Sequence, residues 1–276
     1  MRIEDALSWA TFTLVNSDSA SLDAQVLLAF VLQKETIYLF TWPEREISQA
    51  QKNAFEALIV ERINGVPVAH LTGTREFWSL PLKVNNSTLI PRPDTEMLVE
   101  TALQFCAKDA RILDLGTGSG AILLALASER PNADCLGVDV SERAVQLAVE
   151  NGQALKLHNA QFKYSHWFDA VDGLFDIIVA NPPYIEKGDV HLKQGDVRFE
   201  PLSALVAEEN GLADIRTIAE QAPHYLKKGG YLLFEHGFKQ GLAIRSLLTE
   251  LGYFDVNTIK DYGDNDRVTM ALFNQL

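Results

Sequence analysis

The sequence predicts a doubly wound, mostly parallel α/β sheet preceded by a small all-helical N-terminal domain. Three observations carry that expectation. From Ala110 onward, short apolar and β-branched runs alternate with helix-length segments, the pattern of a parallel sheet covered by helices on both faces. A glycine-rich turn, Asp114-Leu115-Gly116-Thr117-Gly118-Ser119-Gly120, joins the first of those runs to the next helix. Residues 1–74 show helical spacing and no strand-like alternation.

In the helical part, Leu22, Val26, Ala29 and Phe30 recur at helical spacing, which predicts a helix over Leu22–Leu32 capped by Ser21. Ser48 followed by Gln51 has the form of a capping box, and Phe55, Leu58, Ile59 and Ile63 then share one face. Gly65 and Pro67 end that helix. The run Glu76–Val84 has strand-like composition broken by Pro81, so it reads as a hairpin or edge element. Asp94 or Thr95 can cap a helix through Phe105. The boundaries expected are therefore 1–74 for the helical domain, 75–95 for a hairpin and linker, and 96–276 for the α/β domain.

Within the α/β part, strands are expected at Arg111–Leu115, Asp134–Val138, Gln161–Tyr164, Phe175–Ala180 and Tyr231–Glu235, with two closing strands at Phe254–Lys260 and Arg267–Phe273. Helices are expected at Ser141–Leu157, Leu212–Leu226 and Lys239–Leu251. The helix after the glycine-rich turn completes a Rossmann-like alternation.

Composition narrows the class. A chain of 276 residues with 47% hydrophobic and 22% charged residues can bury a sizeable core. The run Val26–Leu32 is too short to span a bilayer, and the first residues lack a signal-peptide pattern, so a cytoplasmic location and no membrane partner are expected. Cys106 and Cys135 read as buried free thiols. The six histidines, His70, His158, His166, His191, His224 and His236, have no metal-ligand spacing with a cysteine, and no metal is expected. A net charge of −13 argues against a broad nucleic-acid grip; residues 1–74 carry nine acids against five Lys plus Arg. An acidic surface instead suits a basic protein partner.

Chemistry concentrates in three places. In the turn Gly116, Thr117, Gly118, Ser119 and Gly120, the backbone can bend tightly and a ligand can approach it at a helix N-terminus; a merely tight strand-to-helix turn would look the same. Gly116, Gly118 and Ala121 also satisfy a relaxed dinucleotide fingerprint. Asp139 follows Gly120 by 19 residues, at the end of the second strand, where a carboxylate can accept both ribose hydroxyls of an adenosine cofactor. It could also cap the following helix, although Ser141 is better placed to do so. Nicotinamide and S-adenosylmethionine are not separated by these two features.

The tetrapeptide Asn181-Pro182-Pro183-Tyr184 separates them. Its prolines remove amide donors, so the turn offers Asn181 Oδ1 and backbone carbonyls as acceptors for an NH₂ group, and Tyr184 offers a flat wall for a planar substrate. A rigid loop with a core tyrosine is the bland alternative. The predicted reaction is methyl transfer to a planar amide or amine nitrogen, with Asn181 and Pro182 as the catalytic acceptors. A nucleic-acid base amino-methyltransferase acting on rRNA or DNA would use the same pocket on a flipped base.

This set resembles the class I S-adenosylmethionine-dependent methyltransferases. Four further stretches are similar to the HemK/PrmC family of release factor glutamine methyltransferases: Pro67–Gly73, Arg75-Glu76-Phe77, Ile90–Glu96 and Asp196–Pro201. The resemblance covers nearly the whole chain. It implies methylation of the side-chain nitrogen of the glutamine in the Gly-Gly-Gln loop of class 1 peptide chain release factors. S-adenosyl-L-methionine would be the donor and S-adenosyl-L-homocysteine the product. Carried over residue by residue, it implies cofactor contacts at Gly116–Gly120, Asp139, Trp167 (beside the adenine) and Asn181, and glutamine binding by Asn181, Pro182, Pro183 and Tyr184. Trp167 could also simply be core, and Arg92, Asp94 and Glu96 could serve only to fix the interdomain turn through ion pairs. The residue before the Trp-Phe pair, often acidic in such proteins, is His166 here, so no carboxylate contact to the adenine amino group is implied at that position. The helical domain, with its separate composition, is expected to recognise the protein substrate.

Overall fold

The computed structural model describes residues 1–193 and 195–274, with the side chains of His191 and Lys193 outside that description. The last two residues of the expected 96–276 segment, Gln275 and Leu276, also lie outside the described residues. The chain divides into two compact units, Met1–Thr74 with Lys193–Phe199, and Arg75–Leu192 with Glu200–Leu276.

The first unit holds α1 (Ile3–Thr13), α2 (Ala20–Leu32), α3 (Thr36–Thr41), α4 (Gln49–Ile63) and α5 (Val68–Thr72). Their apolar faces meet around Leu27, Leu28, Phe55 and Ile59, all fully buried. The capping box of α4 forms as expected: the Gln51 amide donates to Ser48 Oγ at 3.2 Å and the Ser48 amide to Gln51 Oε1 at 2.9 Å. Ser21 does not cap α2, which starts earlier with Ser19 at its N-cap. The reason is Asp23. Its carboxylate takes the hydroxyls of Ser17 and Ser19, both at 2.8 Å, and the guanidinium of Arg62 from α4 at 2.8 Å. Arg62 also reaches Asp196 at 3.0 Å, which ties the segment after Lys193 to this unit.

The second unit begins with the expected hairpin, whose strands β1 (Thr74–Phe77) and β2 (Leu80–Lys83) form a two-stranded sheet. Trp78 and Ser79 join them with positive φ, the backbone that matches strand twist in a tight hairpin. There follow α6 (Glu96–Phe105), β3 (Arg111–Leu115), α7 (Ala121–Glu129), β4 (Asp134–Asp139), α8 (Glu142–Leu155), β5 (Ala160–Tyr164) and β6 (Phe175–Ala180). A small pair, β7 (Ile185–Glu186) and β8 (Val206–Ala207), precedes α9 (Ala213–Gln221), β9 (Leu226–Glu235), α10 (Gly241–Glu250), β10 (Phe254–Lys260) and β11 (Asp266–Phe273).

Seven strands form one sheet in the order β10-β11-β9-β6-β3-β4-β5. It is parallel from β9 to β5, and β11 is antiparallel to both β9 and β10. This is the mostly parallel, doubly wound sheet expected. The central strands are apolar on both faces: Ile112, Ile177, Val179 and Leu233 pack on one side, and Leu113, Leu115, Ile178, Ala180, Leu232 and Phe234 on the other. Connections from β3 run one way to β4 and β5 and the other way to β6 and β9. The switch opens a crevice at the carboxyl ends of β3 and β6.

One expected helix runs too long. Leu212–Leu226 gives only α9, because Pro223 closes a 3₁₀ turn at Ala222–His224, and Leu226 already starts β9. Cys106 and Cys135 are buried and free.

Candidate active site

The crevice at the switch point is lined by the glycine-rich turn, Asp139, Trp167, Asn181, Pro182 and Pro183, together with Ser87–Leu89, Pro91, Thr95, Pro201, Ser203, Ala204 and Asp214. Each predicted group is set there by the end of a strand. Gly116 leaves β3 at φ +72°, and a Cβ on it would lie 3.4 Å from the Trp167 ring. Gly120, at φ +83°, has no room for a side chain, since a Cβ would lie 3.1 Å from Leu124 and Phe162. Gly120 shapes the turn and does not line the crevice.

Four amides of this turn are already engaged. Gly116 and Thr117 donate to the Val138 carbonyl at 2.9 Å, Gly120 to the Thr117 carbonyl at 2.9 Å, and Gly118 to Asp139 Oδ2 at 2.9 Å. Unpaired amides at this helix N-terminus were the sequence expectation. The neighbouring strand β4 takes the amides of Gly116, Thr117 and Gly118, so in this part of the turn what the glycines leave is space.

Asp139 also takes the Ser141 amide on Oδ1 at 2.8 Å, while Ser141 Oγ caps α8 by accepting the Ala144 amide at 3.3 Å. Burial raises the Asp139 carboxyl above the ordinary carboxylate range, and the amides of Ser141, Gly118 and Val140 oppose that shift. Behind it, Asp114 is completely buried. Burial pushes its pKa up to about 7, against the hydrogen bond from Thr117 Oγ1 at 2.6 Å.

Trp167 has φ +44°, a conformation a bulky side chain rarely adopts. Ser165 holds the strained turn by donating to the Trp167 carbonyl at 2.9 Å and accepting the Ala170 amide at 3.0 Å. His166 points to Asp169, 3.7 Å away. Along the same crevice, burial raises the carboxyl of the half-buried Asp214 above the ordinary carboxylate range, and the His166 ring opposes that shift.

Asn181 follows β6, with Nδ2 3.5 Å from Thr95 Oγ1. Pro182 and Pro183 line the crevice beside it, but Tyr184 does not. Tyr184 turns back against Gly237, and burial pushes its phenol up to about 12. Its carbonyl accepts Gln240 Nε2 at 3.1 Å, and the same amide donates to the Asn210 carbonyl at 3.0 Å. Next to Asn210, Gly211 has φ +81°, and a Cβ there would collide with the Tyr184 carbonyl and come within 2.5 Å of the Gln240 amide. Gly211→Ala is therefore expected to destabilise the protein by about 1–3 kcal/mol. A denaturant midpoint equal to wild type at unchanged slope would contradict this.

The acidic and basic residues of Ile90–Glu96 and Asp196–Pro201 pair within their own units. Arg92 forks onto both oxygens of Glu200 at 2.7 and 2.9 Å, and Ile90 donates its amide to Glu200 at 3.2 Å. Asp94 meets Arg267 at 3.4 Å, and Glu96 accepts the Trp78 amide at 2.8 Å. Sequence reading missed Asp214 and Glu235, and it gave no site role to Thr95 and Glu200, which lie in the stretches Ile90–Glu96 and Asp196–Pro201. Neither Asp214 nor Glu235 sits in a run whose pattern marks chemistry. Among the described residues, no group of three or more His, Cys, Asp or Glu could hold a metal ion.

Comparison with known proteins agrees with this geometry. A methyltransferase domain model matches residues 107–260, and a PrmC N-terminal domain model matches residues 5–73. A solved methyltransferase from Pyrococcus furiosus shares the fold with a TM-score of 0.56 at 20% identity, over 71% of this chain and 90% of that one. The Thermus thermophilus 16S rRNA N2 G1207 methyltransferase, solved with AdoMet and guanosine, shares it with a TM-score of 0.53 at 22% identity, over 73% of this chain and 50% of that one. The fold and its switch-point crevice are those of a class I methyltransferase. The release factor glutamine methyltransferase of Vibrio cholerae is 55% identical over 98% of this chain and 96% of its own length, and that of Escherichia coli K12 is 50% identical over the full length of both. The chain belongs to the release factor glutamine methyltransferase family.

Proposed function

We propose that this protein transfers the methyl group of S-adenosyl-L-methionine to the side-chain amide nitrogen of the glutamine in the Gly-Gly-Gln loop of class 1 release factors, leaving S-adenosyl-L-homocysteine. The observation that carries the reading is the crevice itself, which sets Asn181 and two amide-less prolines beside a glycine turn backed by Asp139 and Trp167. The residues fit this donor better than a dinucleotide. A pyrophosphate needs unpaired amides, and with those of Gly116, Thr117, Gly118 and Gly120 taken the glycine turn offers fewer of them. An uncharged ribose needs acceptors, and the Asp139 carboxylate, with about four lone-pair sites, has more than the amides of Gly118, Ser141 and Val140 occupy.

In this reading, Gly116–Ser119 and Asp139 hold the adenosine part, Trp167 walls the adenine, and Asn181 borders both ligands. The bound donor supplies an electrophilic methyl group. The chain's own work is orientation and charge. An amide nitrogen is a weak nucleophile because its lone pair is delocalised, and fixed alignment can supply about 7–11 kcal/mol of the barrier. Positive charge grows on the NH₂ group as it reacts, and acceptors at Asn181 and Pro182 favour that state over the ground state. Pro183 stiffens the turn, and Tyr184 anchors it from behind.

The helical unit serves substrate recognition in the same reading. It exposes the apolar side chains of Phe12, Ile37 and Phe40, at 84%, 64% and 58% of their surfaces, which a partner could cover. Replacing Phe12 and Phe40 together by Ser is expected to raise KM for an intact release factor about 5- to 30-fold, the equivalent of losing one or two kcal/mol. Calorimetric affinity for S-adenosylmethionine should not move; an unchanged KM would leave the unit without that role. No helix among the described residues is long and apolar enough to cross a membrane, and a cytoplasmic protein without a stable nucleic-acid partner fits this function.

Labelled S-adenosylmethionine with a purified release factor tests the reading directly, run beside tRNA, rRNA and DNA. Label should enter the factor and not its Gln→Ala version. Preferential labelling of a nucleic acid would move the acceptor to a base nitrogen.

A further inference from the structure

We infer that Glu235 is a positioning residue that sets which way the Asn181 side-chain amide faces. This rests on the reading of Asn181 as the acceptor of the substrate NH₂ group.

The placement follows from sheet register. Ala180 of β6 pairs with Phe234 of β9 in the parallel sheet, so the next residues along, Asn181 and Glu235, leave the two strands side by side. Neighbouring strands lie about 4.8 Å apart, close enough for the two side chains to meet on the same face. Glu235 is 2% exposed and does not line the crevice. It sits behind Asn181, not in front of it. Its Oε2 is enclosed and completes no hydrogen bond among the described residues, an acceptor left over at the back of the site. Thr95 Oγ1 lies on the same inner side, 3.5 Å from Asn181 Nδ2.

An Asn side chain has one acceptor end and one donor end, and only the acceptor end can hold a substrate NH₂. An ionised carboxylate accepts and cannot donate. With Glu235 ionised, the end of Asn181 that faces inward must be the NH₂, and Oδ1 must face the crevice. A protonated Glu235 can donate instead, and it then tolerates the flipped amide, which would aim an NH₂ at the substrate NH₂. The groups that face Glu235 are Asp94 and Thr95 from the turn before α6, Arg267 from β11, and Tyr184 and Asn181 from the loop after β6. Burial raises its pKa to about 7; Thr95, Arg267 and Asn181 work against that rise, and Asp94 adds to it. The ionised form therefore grows in as pH rises through about 7.

The test is single-turnover methyl transfer to a purified release factor at saturating S-adenosylmethionine, for wild type, Glu235→Leu, Glu235→Gln, Asn181→Ala and the Asn181→Ala/Glu235→Leu pair. Glu235→Leu is expected to lower kcat about 10²-fold through misorientation, with KM for the factor and cofactor affinity nearly unchanged. In the Asn181→Ala background it should cost nothing further, because it has no amide left to orient. Glu235→Gln keeps an acceptor oxygen and should retain more rate than Leu, but lose the rise across pH 7 that wild type shows. Asp114 also has its pKa near 7 and is untouched by the variant, so the difference between the two profiles is the readout. Costs that add in the double variant, or a Glu235→Gln profile superimposed on wild type, would overturn the proposal. Asn181→Ala at wild-type rate would instead overturn the Asn181 reading beneath it. If Glu235→Leu does not fold, the Glu235→Gln profile decides alone.

Discussion

Asn181→Ala is expected to reduce kcat for glutamine methylation about 10²–10³-fold, the usual cost of removing one preorganised contact to developing charge. Affinity for S-adenosylmethionine should change far less, because the other residues assigned to it, Gly116–Ser119, Asp139 and Trp167, stay in place along the crevice. The fold should survive, since Asn181 lies just beyond the end of β6 and its polar side-chain contacts among the described residues are with Thr95 and Glu235. Asn181→Asp separates two explanations. It keeps the size and an acceptor oxygen, so partial activity would assign the effect to acceptance of the NH₂ group. It also places a carboxylate beside Glu235, however, and the pair should share a proton, which makes the Asp variant most active at the lower end of the pH range. Wild-type rates for Asn181→Ala would remove the Asn-Pro-Pro-Tyr turn from the chemistry.

The parts of the fold that depend on local pattern could be read from the chain. Phe175–Ala180 is apolar on both faces apart from Asp176 near its start, and a central parallel strand buries such a run, so β6 has the bounds expected. Ser48 and Gln51 lie within one turn of each other, and their reciprocal bonds need no distant partner. What was misread depends on distance. Ser21 looks like a cap until Arg62, 39 residues beyond Asp23, draws that carboxylate into a cluster that starts α2 two residues earlier. The helical pattern at Leu212–Leu226 continues past Pro223 because periodicity does not register a missing amide donor. In the site, glycine spacing showed where a ligand has room. It could not show that Val138 and Asp139 occupy the turn's amides, because those acceptors come from β4. Glu235 was read only as the end of a strand. Its place beside Asn181, 54 positions away in the sequence, exists only in the β6–β9 register.

Asp139→Ala is expected to weaken S-adenosylmethionine binding by about 1.5–3 kcal/mol, the worth of a hydrogen bond to a charged group. At 1.4 kcal/mol per factor of ten, that is roughly 10- to 150-fold in Kd. Two effects run in the same direction. The variant removes the acceptor proposed for the ribose hydroxyls, and it releases the amides of Gly118 and Ser141 that each carboxylate oxygen now holds. Asp139→Asn should do little better, since its NH₂ end must face one of those two backbone donors. Acidity offers an independent check. The Asp139 carboxyl is raised by burial, so protonation should begin above the usual carboxylate range. Affinity for the cofactor should then fall as pH drops through that raised value, whereas the Ala variant, already without the acceptor, should show no such fall. Calorimetric titration of both proteins across the acidic range, with circular dichroism to confirm an intact fold, measures both effects. Equal affinities at neutral pH would take Asp139 out of the cofactor site and leave it as the clasp between the glycine turn and α8.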